Sequence, residues 1–137
     1  MLTNLNSLLT NIQQNPKKLF LIDGFGAILS AFMLGVILVR FEALFGIPSS
    51  ALYILAIIPL FFTLYDIYSF KQKHSKTNVL LKGIAILNLL YCCISLGFAF
   101  YHFNSITYIG WSYILIEITI ILLLAFIEFS VGTGVKN

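Results

Sequence analysis

ITYIGWSYILIEITIILLLAFIEF, residues 106–129, is a run of aliphatic and aromatic side chains that carries two glutamates, Glu117 and Glu128, and no basic residue. As a helix rising about 1.5 Å per residue, it reaches across the roughly 30 Å hydrocarbon core of a bilayer. A soluble protein would have to cover every side of it. The rest of the chain cannot do so: hydrophobic residues are 60% and charged residues 9% of the 137, where a soluble domain is about 25% charged. Mean hydropathy is +0.99. The solvent of this run is lipid, where each backbone amide must be satisfied within the protein, and that makes the run a helix.

Three more runs of the same kind lie upstream, at about residues 19–39, 51–70 and 79–101. With 106–129 they predict an all-α membrane protein of one domain, a left-handed, antiparallel four-transmembrane-helix bundle. Short connections make consecutive helices neighbours. Residues 1–18 form an N-terminal segment in which Leu2, Leu5, Leu9 and Ile12 recur at helical spacing, as in a short interfacial helix that ends at Pro16. Residues 130–137 read as a tail. A secretory signal is a poor reading of the first run, which is too long and lacks a small-x-small cleavage site.

The lysines orient the bundle. Lys17 and Lys18 precede the first span, Lys71, Lys73 and Lys76 lie between the second and third, Lys82 is just inside the third, and Lys136 follows the fourth. All seven share one side if the helices alternate, and only Arg40 falls on the other. The positive-inside rule then places both termini and the middle loop in the cytoplasm. The net charge of +3 is a membrane-surface feature, and no nucleic-acid partner is expected. The lipid bilayer is the expected partner, with a second copy or another membrane protein as the further candidate. Tyr53, Tyr101, Tyr108 and Trp111 collect at the external boundary, where amphipathic rings are favoured. In the first external loop Gly46 and Pro48 break the helix, and Ser49 or Ser50 can cap the next.

Few polar groups enter the spans, and these are the candidate functional residues: Asp23, Asp66, Asn88, Glu117 and Glu128. Intramembrane acids are costly and mark functional sites by default. Asp23 lies only about 6 Å inside the boundary by helical rise, so a lysine partner (Lys17, Lys18 or Lys82) is expected for it. Gly24, Gly26, Ala27, Ala31 and Gly35, with Ser30 beside them, give the same helix a small-residue surface for close helix contact. In the third span Ala85, Asn88, Cys92, Ser95, Ala99 and His102 make a second such stripe. Asn88 is placed near the membrane centre. Glu117, about 16 Å deep by helical rise, is its expected partner in a hydrogen-bonded clasp. The same glutamate could instead carry a proton or bind a cation if water reached it. Asp66 and Glu128, near the cytoplasmic ends of their spans, could join Asp23 in an acidic cluster; pairing with loop lysines is the expectation. Pro59 should kink the second span.

Arg40, Glu42 and His102 are the candidate external-face cluster. With His74 in the middle loop, the two histidines give no metal-ligand spacing, so no metal is expected. Cys92 and Cys93 are adjacent rather than CxxC and read as packing residues. No nucleophile–base pair appears, and a GxG that follows no strand is not a nucleotide loop. Neither a cofactor nor an enzymatic activity is expected.

The runs LFLIDGFGAILSAFMLGVILVRFEALFGIP, LYILAIIPLFFTLYDIYSF, IAILNLLYCC and EITIILLLAFIE resemble a group of small uncharacterised four-span bacterial integral membrane proteins. That resemblance implies a bacterial inner membrane and carries no activity. Four short spans are also similar to small multidrug transporters, which keep an essential glutamate in their first helix. Here the first-span acid is Asp23, near the boundary, and the deep acid is in the last helix, which argues against that assignment. The expected function is a non-enzymatic packing or interaction protein. The alternative is a small proton- or cation-coupled transporter built on Glu117. A cavity that reaches Glu117 favours the second and a dry, closed bundle the first.

Overall fold

The computed structural model describes residue 7 and residues 15–134. The interfacial helix expected near the N-terminus lies almost wholly outside the described residues, as do the last three residues of the tail, Lys136 included. Helix α1 (Lys18–Phe32) runs through a π-helical turn, Met33–Ile37, into α2 (Leu38–Arg40), and these make the first span. A one-turn helix, α3 (Glu42–Phe45), follows. The remaining spans are α4 (Ser49–Phe70), α5 (Thr77–Tyr101) and α6 (Tyr108–Gly134), with a 3-10 turn at His74–Lys76 before α5. The described residues contain no strand. The result is an all-α four-helix bundle whose four long apolar helices make it a multi-pass membrane protein.

The exposure pattern is that of a protein dissolved in lipid. Phe25, Leu64, Val79 and Phe126 point outward and are well exposed, while Asp23, Asp66, Asn88, Ser95, Glu117 and Glu128 turn inward. The first span packs most extensively on the second, and the third on the fourth. At one end of the first pair Gly24 lies against Asp66; at the other Gly35 lies against Ala56. The absence of side chains on Gly24 and Gly35 lets the backbones approach closely, which in lipid replaces the hydrophobic drive to associate. Gly26 behaves differently from its neighbour: nothing lies within 4 Å of where its Cβ would be. It is not a helix contact.

The apolar core has two parts. One gathers Leu34, Leu38, Leu52, Leu55, Tyr91, Ile114 and Ile118; the other Leu19, Phe20, Leu81 and Ile84. Along the first and third spans, Asp23 and Asn88 fall between the two. The stripe predicted in the third span is internal: Ala85, Asn88, Cys92, Ser95 and Ala99 are all buried, whereas Cys93 is exposed.

Several boundaries differ from the sequence reading: α4 and α5 each begin two residues before their expected spans, and α6 begins two residues after its own. The fourth helix continues five residues past 129, because Gly132 leaves room there for the Asn78 carbonyl and the Lys82 stem of the third span. Helix α4 passes through Pro59 as one element. Its start is capped by Glu42 and not by a serine: Ser49 donates to Glu42 from its backbone N–H (3.0 Å) and from its hydroxyl (2.9 Å). A carboxylate at a helix N-terminus satisfies free amides and complements the dipole.

The loops at this end are tied to each other. Gly46 adopts φ +72°, a conformation L-residues rarely adopt, and so turns the chain after α3. Thr107 then donates from its backbone to Phe45 (3.1 Å) and from its hydroxyl to Leu44 (2.6 Å), and Ser105 donates to the Gly46 carbonyl (2.9 Å). A Cβ on Gly110 would sit 2.0 Å from the Phe45 carbonyl oxygen, so only glycine admits this contact.

Candidate intramembrane site

Glu117 sits ten residues into α6 and is 7% exposed. Tyr113, four residues earlier on the same face, donates its hydroxyl to Oε2 at 2.8 Å. Tyr91 reaches across from the third span and donates to Oε1 at 2.8 Å. The Ser30 hydroxyl of the first span faces the same carboxyl. Both tyrosines are held in turn by edge-to-face rings, Phe62 on Tyr91 and Phe45 on Tyr113. The carboxyl group is therefore fixed by donors from two helices.

A second polar group lies nearer the Lys71 end. The Asn88 amide donates to Asp23 Oδ1 (2.8 Å) and to Glu128 Oε1 (2.9 Å), so one side chain joins three spans. Asp66 brings in the second span, and its carboxyl and that of Glu128 both approach Asp23 within hydrogen-bonding reach. Asp23, Asp66 and Glu128 are 3%, 2% and 0% exposed. Asp23 Oδ2, both oxygens of Asp66 and Glu128 Oε2 have no hydrogen-bond donor. Buried oxygens of this kind are uncommon in folded proteins.

The clasp expected between Asn88 and Glu117 is thus not formed. Asn88 serves Asp23 and Glu128, while Glu117 is served by tyrosines. The error lies in the depth of the third span. Helix α5 begins at Thr77, outside the apolar run, and Lys82 lies against Gly132 near the end of α6. Counted from Lys82, Asn88 is only about 9 Å deep. Glu117 and Glu128 are eleven residues apart on one helix, about 16 Å, which separates the two polar groups into two levels.

The lysine partners expected for the acids are not what the structure shows. Lys17 gives its ammonium to the Gln72 carbonyl, and the acidic oxygens either accept from Asn88 or have no donor. The three acids form the cluster that the sequence left as the alternative. Of the external-face set, Glu42 caps α4 and His102 stacks edge-on against Tyr101 at 4.9 Å. Among the described residues no group of histidine, cysteine and acidic side chains is arranged to hold a metal ion.

Between the first and fourth spans is a cavity of about 350 Å³. Its polar lining is Asp23, Ser30, Asn88, Tyr91, Tyr113 and Glu117, and no lysine or arginine stands among the described residues that line it. Gly26, Leu29, Ile116 and Ile120 complete its outer edge and are exposed on the surface of the bundle. The mouth therefore faces lipid. Tyr91 and Tyr113 were not singled out from the sequence, and Ser30 stood there only beside the small-residue surface of the first span. The available signs were spacing: Tyr113 precedes Glu117 by four residues, and Tyr91 follows Asn88 by three.

Compared with known protein families, with curated proteins and with solved structures, the chain matches none.

Proposed function

We propose that the protein is a small carrier for lipophilic cations in a bacterial inner membrane, with Glu117 as the counter-charge. The observation that supports this most directly is the sign of the cavity. Two acids, two phenols, a hydroxyl and an amide surround it, and no base among the described lining residues balances them. An apolar site with a few convergent polar groups is the usual form of a small-molecule pocket. A carboxylate in a low-dielectric space attracts a cation strongly, and the two tyrosine hydroxyls hold its oxygens in place. The lipid-facing mouth suits a ligand with an apolar body that partitions into the bilayer first. The lysine distribution puts both termini and the middle loop on the cytoplasmic side.

The packing-protein reading depended on small-residue stripes free to meet a partner. In the third span that stripe is buried against the chain's own helices, which leaves the carrier as the better supported reading.

The test uses the detergent-solubilised full chain with tetraphenylphosphonium as the cation and triphenylphosphine oxide as an uncharged comparison. At about a hundred times Kd, a ligand specific to the folded state adds about 2.7 kcal/mol of stability. Thermal unfolding should show stabilisation by the cation alone in the native protein. Glu117→Gln should keep its fold and lose the effect. Equal stabilisation of the two proteins, or by the two compounds, sinks the proposal.

A further inference from the structure

A cation that takes the carboxylate of Glu117 displaces whatever proton it held, and that proton needs a way out. The cavity mouth is no exit, because it faces lipid. The polar lining leads the other way, from Glu117 past Ser30 and Tyr91 to Asn88 and Asp23. Asp23 is also within hydrogen-bonding reach of Asp66. Asp66 in turn lines a second cavity of about 290 Å³ between the first and second spans; its walls are mainly apolar and open toward lipid at Leu21, Phe25, Ile28 and Ile67, but unlike the first it also reaches Lys71, the first residue beyond α4. The acidic group therefore stands as the wall between two cavities, one holding Glu117 and the other ending at the middle loop.

We propose that Asp23 and Asp66, with Glu128, relay protons between Glu117 and the middle-loop side of the membrane. This rests on the carrier reading for its purpose and not for its route. Both oxygens of Asp66 are free of donors although the side chain is 2% exposed, so they are able to accept a proton from one side and pass it to the other. In the outward step the Glu117 O–H bond breaks, its electron pair stays on Glu117 as the carboxylate, and water in the first cavity takes the proton. Asp23 then binds it, Asp66 receives it from Asp23, and water at the Lys71 edge of the second cavity removes it. A cavity of about 350 Å³ has room for several waters at about 30 Å³ each, and six polar side chains are there to hold them.

The titratable groups facing the relay are Asp23 from the first span, Asp66 and Tyr65 from the second, Lys71 at the edge of the second cavity, and Glu128 from the fourth; the third contributes the Asn88 amide. Glu128 is joined to Asp23 through the shared Asn88 amide but lines neither cavity, so it serves as a reservoir and not as a link.

The experiment needs no ligand. A pH jump on the full chain in detergent is followed by time-resolved infrared absorption of carboxyl C=O stretches, and the Glu117 band is the part that Glu117→Gln removes. In Asp66→Asn and in Asp23→Asn, which keep the side-chain shape, that band should reach its native amplitude about a hundredfold more slowly, the lower end of what a positioned proton-transfer group contributes. A native rate in either variant overturns the relay, as does a Glu117 band that ignores pH. Cation binding that survives Glu117→Gln while both relay variants are slow overturns only the carrier.

Discussion

At the Gly46 end of the bundle, the carbonyls of Leu44, Phe45 and Gly46 are each taken by a donor from Ser105 or Thr107, and Glu42 caps the second span. Nearer the Lys71 end, four carboxylate oxygens lie buried without a donor. The first region pairs the groups of its two loops with each other and packs tightly where they meet; a methyl group on Gly110 would collide with the backbone. The second leaves polar groups unpaired beside open cavities. A protein under selection for stability alone would have no reason to keep three acids there, since their burial costs free energy that apolar residues would not. The contrast separates the part of the molecule that fastens the helices from the part that is free to exchange ligands and protons.

The largest effect is expected where the fastening is tightest. Gly110→Ala should force the α3 turn away from the fourth span and cost about 3 kcal/mol, the upper part of the range for overpacking. Unfolding of the purified protein in one detergent would measure it. A change near zero would mean that the two loops are not locked, and the contrast between the ends would fail.

A smaller loss is expected at the acidic level. Asn88→Leu removes the donor shared by Asp23 and Glu128 and should cost about 1–2 kcal/mol, the range for interhelical polar contacts. The same unfolding assay applies. If Asn88→Leu stabilises the protein, the amide is not what holds these acids together.

The smallest expected quantity is a coupling. Asn88→Leu and Glu117→Leu should add within about 0.5 kcal/mol, because the residues share no partner and stand at different levels. Tyr91→Phe and Glu117→Leu should fall short of additivity, since each removes one side of the same hydrogen bond. Strong coupling in the first pair with none in the second would restore the Asn88–Glu117 clasp and merge the two levels into one.

Much of the fold can be read along the chain because lipid imposes it. Four apolar runs have to be helices, their lengths have to match the membrane, and the inward face of the third was visible in the spacing of Ala85, Asn88, Cys92, Ser95 and Ala99. The site was legible only as an inventory. Asp23, Asp66, Asn88, Glu117 and Glu128 were recognisable as costly residues, but their partners were assigned by depth counted from the edges of hydrophobic runs. That count failed for α5, where the boundary lies nearer Lys82 than residue 79, and Asn88 comes about 4.5 Å closer to the Lys71 end. Gly24 and Gly26 looked alike for a related reason: two positions apart on a helix they face different directions, and sequence does not say which one meets a neighbour.

By itself, the sequence determined the solvent, the number of crossings, the small-residue face of the third span and the set of polar groups carried into lipid. These follow from local chemistry, since transfer of each backbone segment and side chain into hydrocarbon is decided residue by residue. Only the tertiary structure decided that Glu117 belongs to Tyr91 and Tyr113, that Asn88 joins Asp23 to Glu128, and that a cavity separates the first span from the fourth. Those outcomes depend on how the helices slide and rotate against one another. A shift of one residue moves a side chain by about 1.5 Å along a helix and about 100° around it, enough to exchange one hydrogen-bond partner for another while the hydrophobic pattern stays the same.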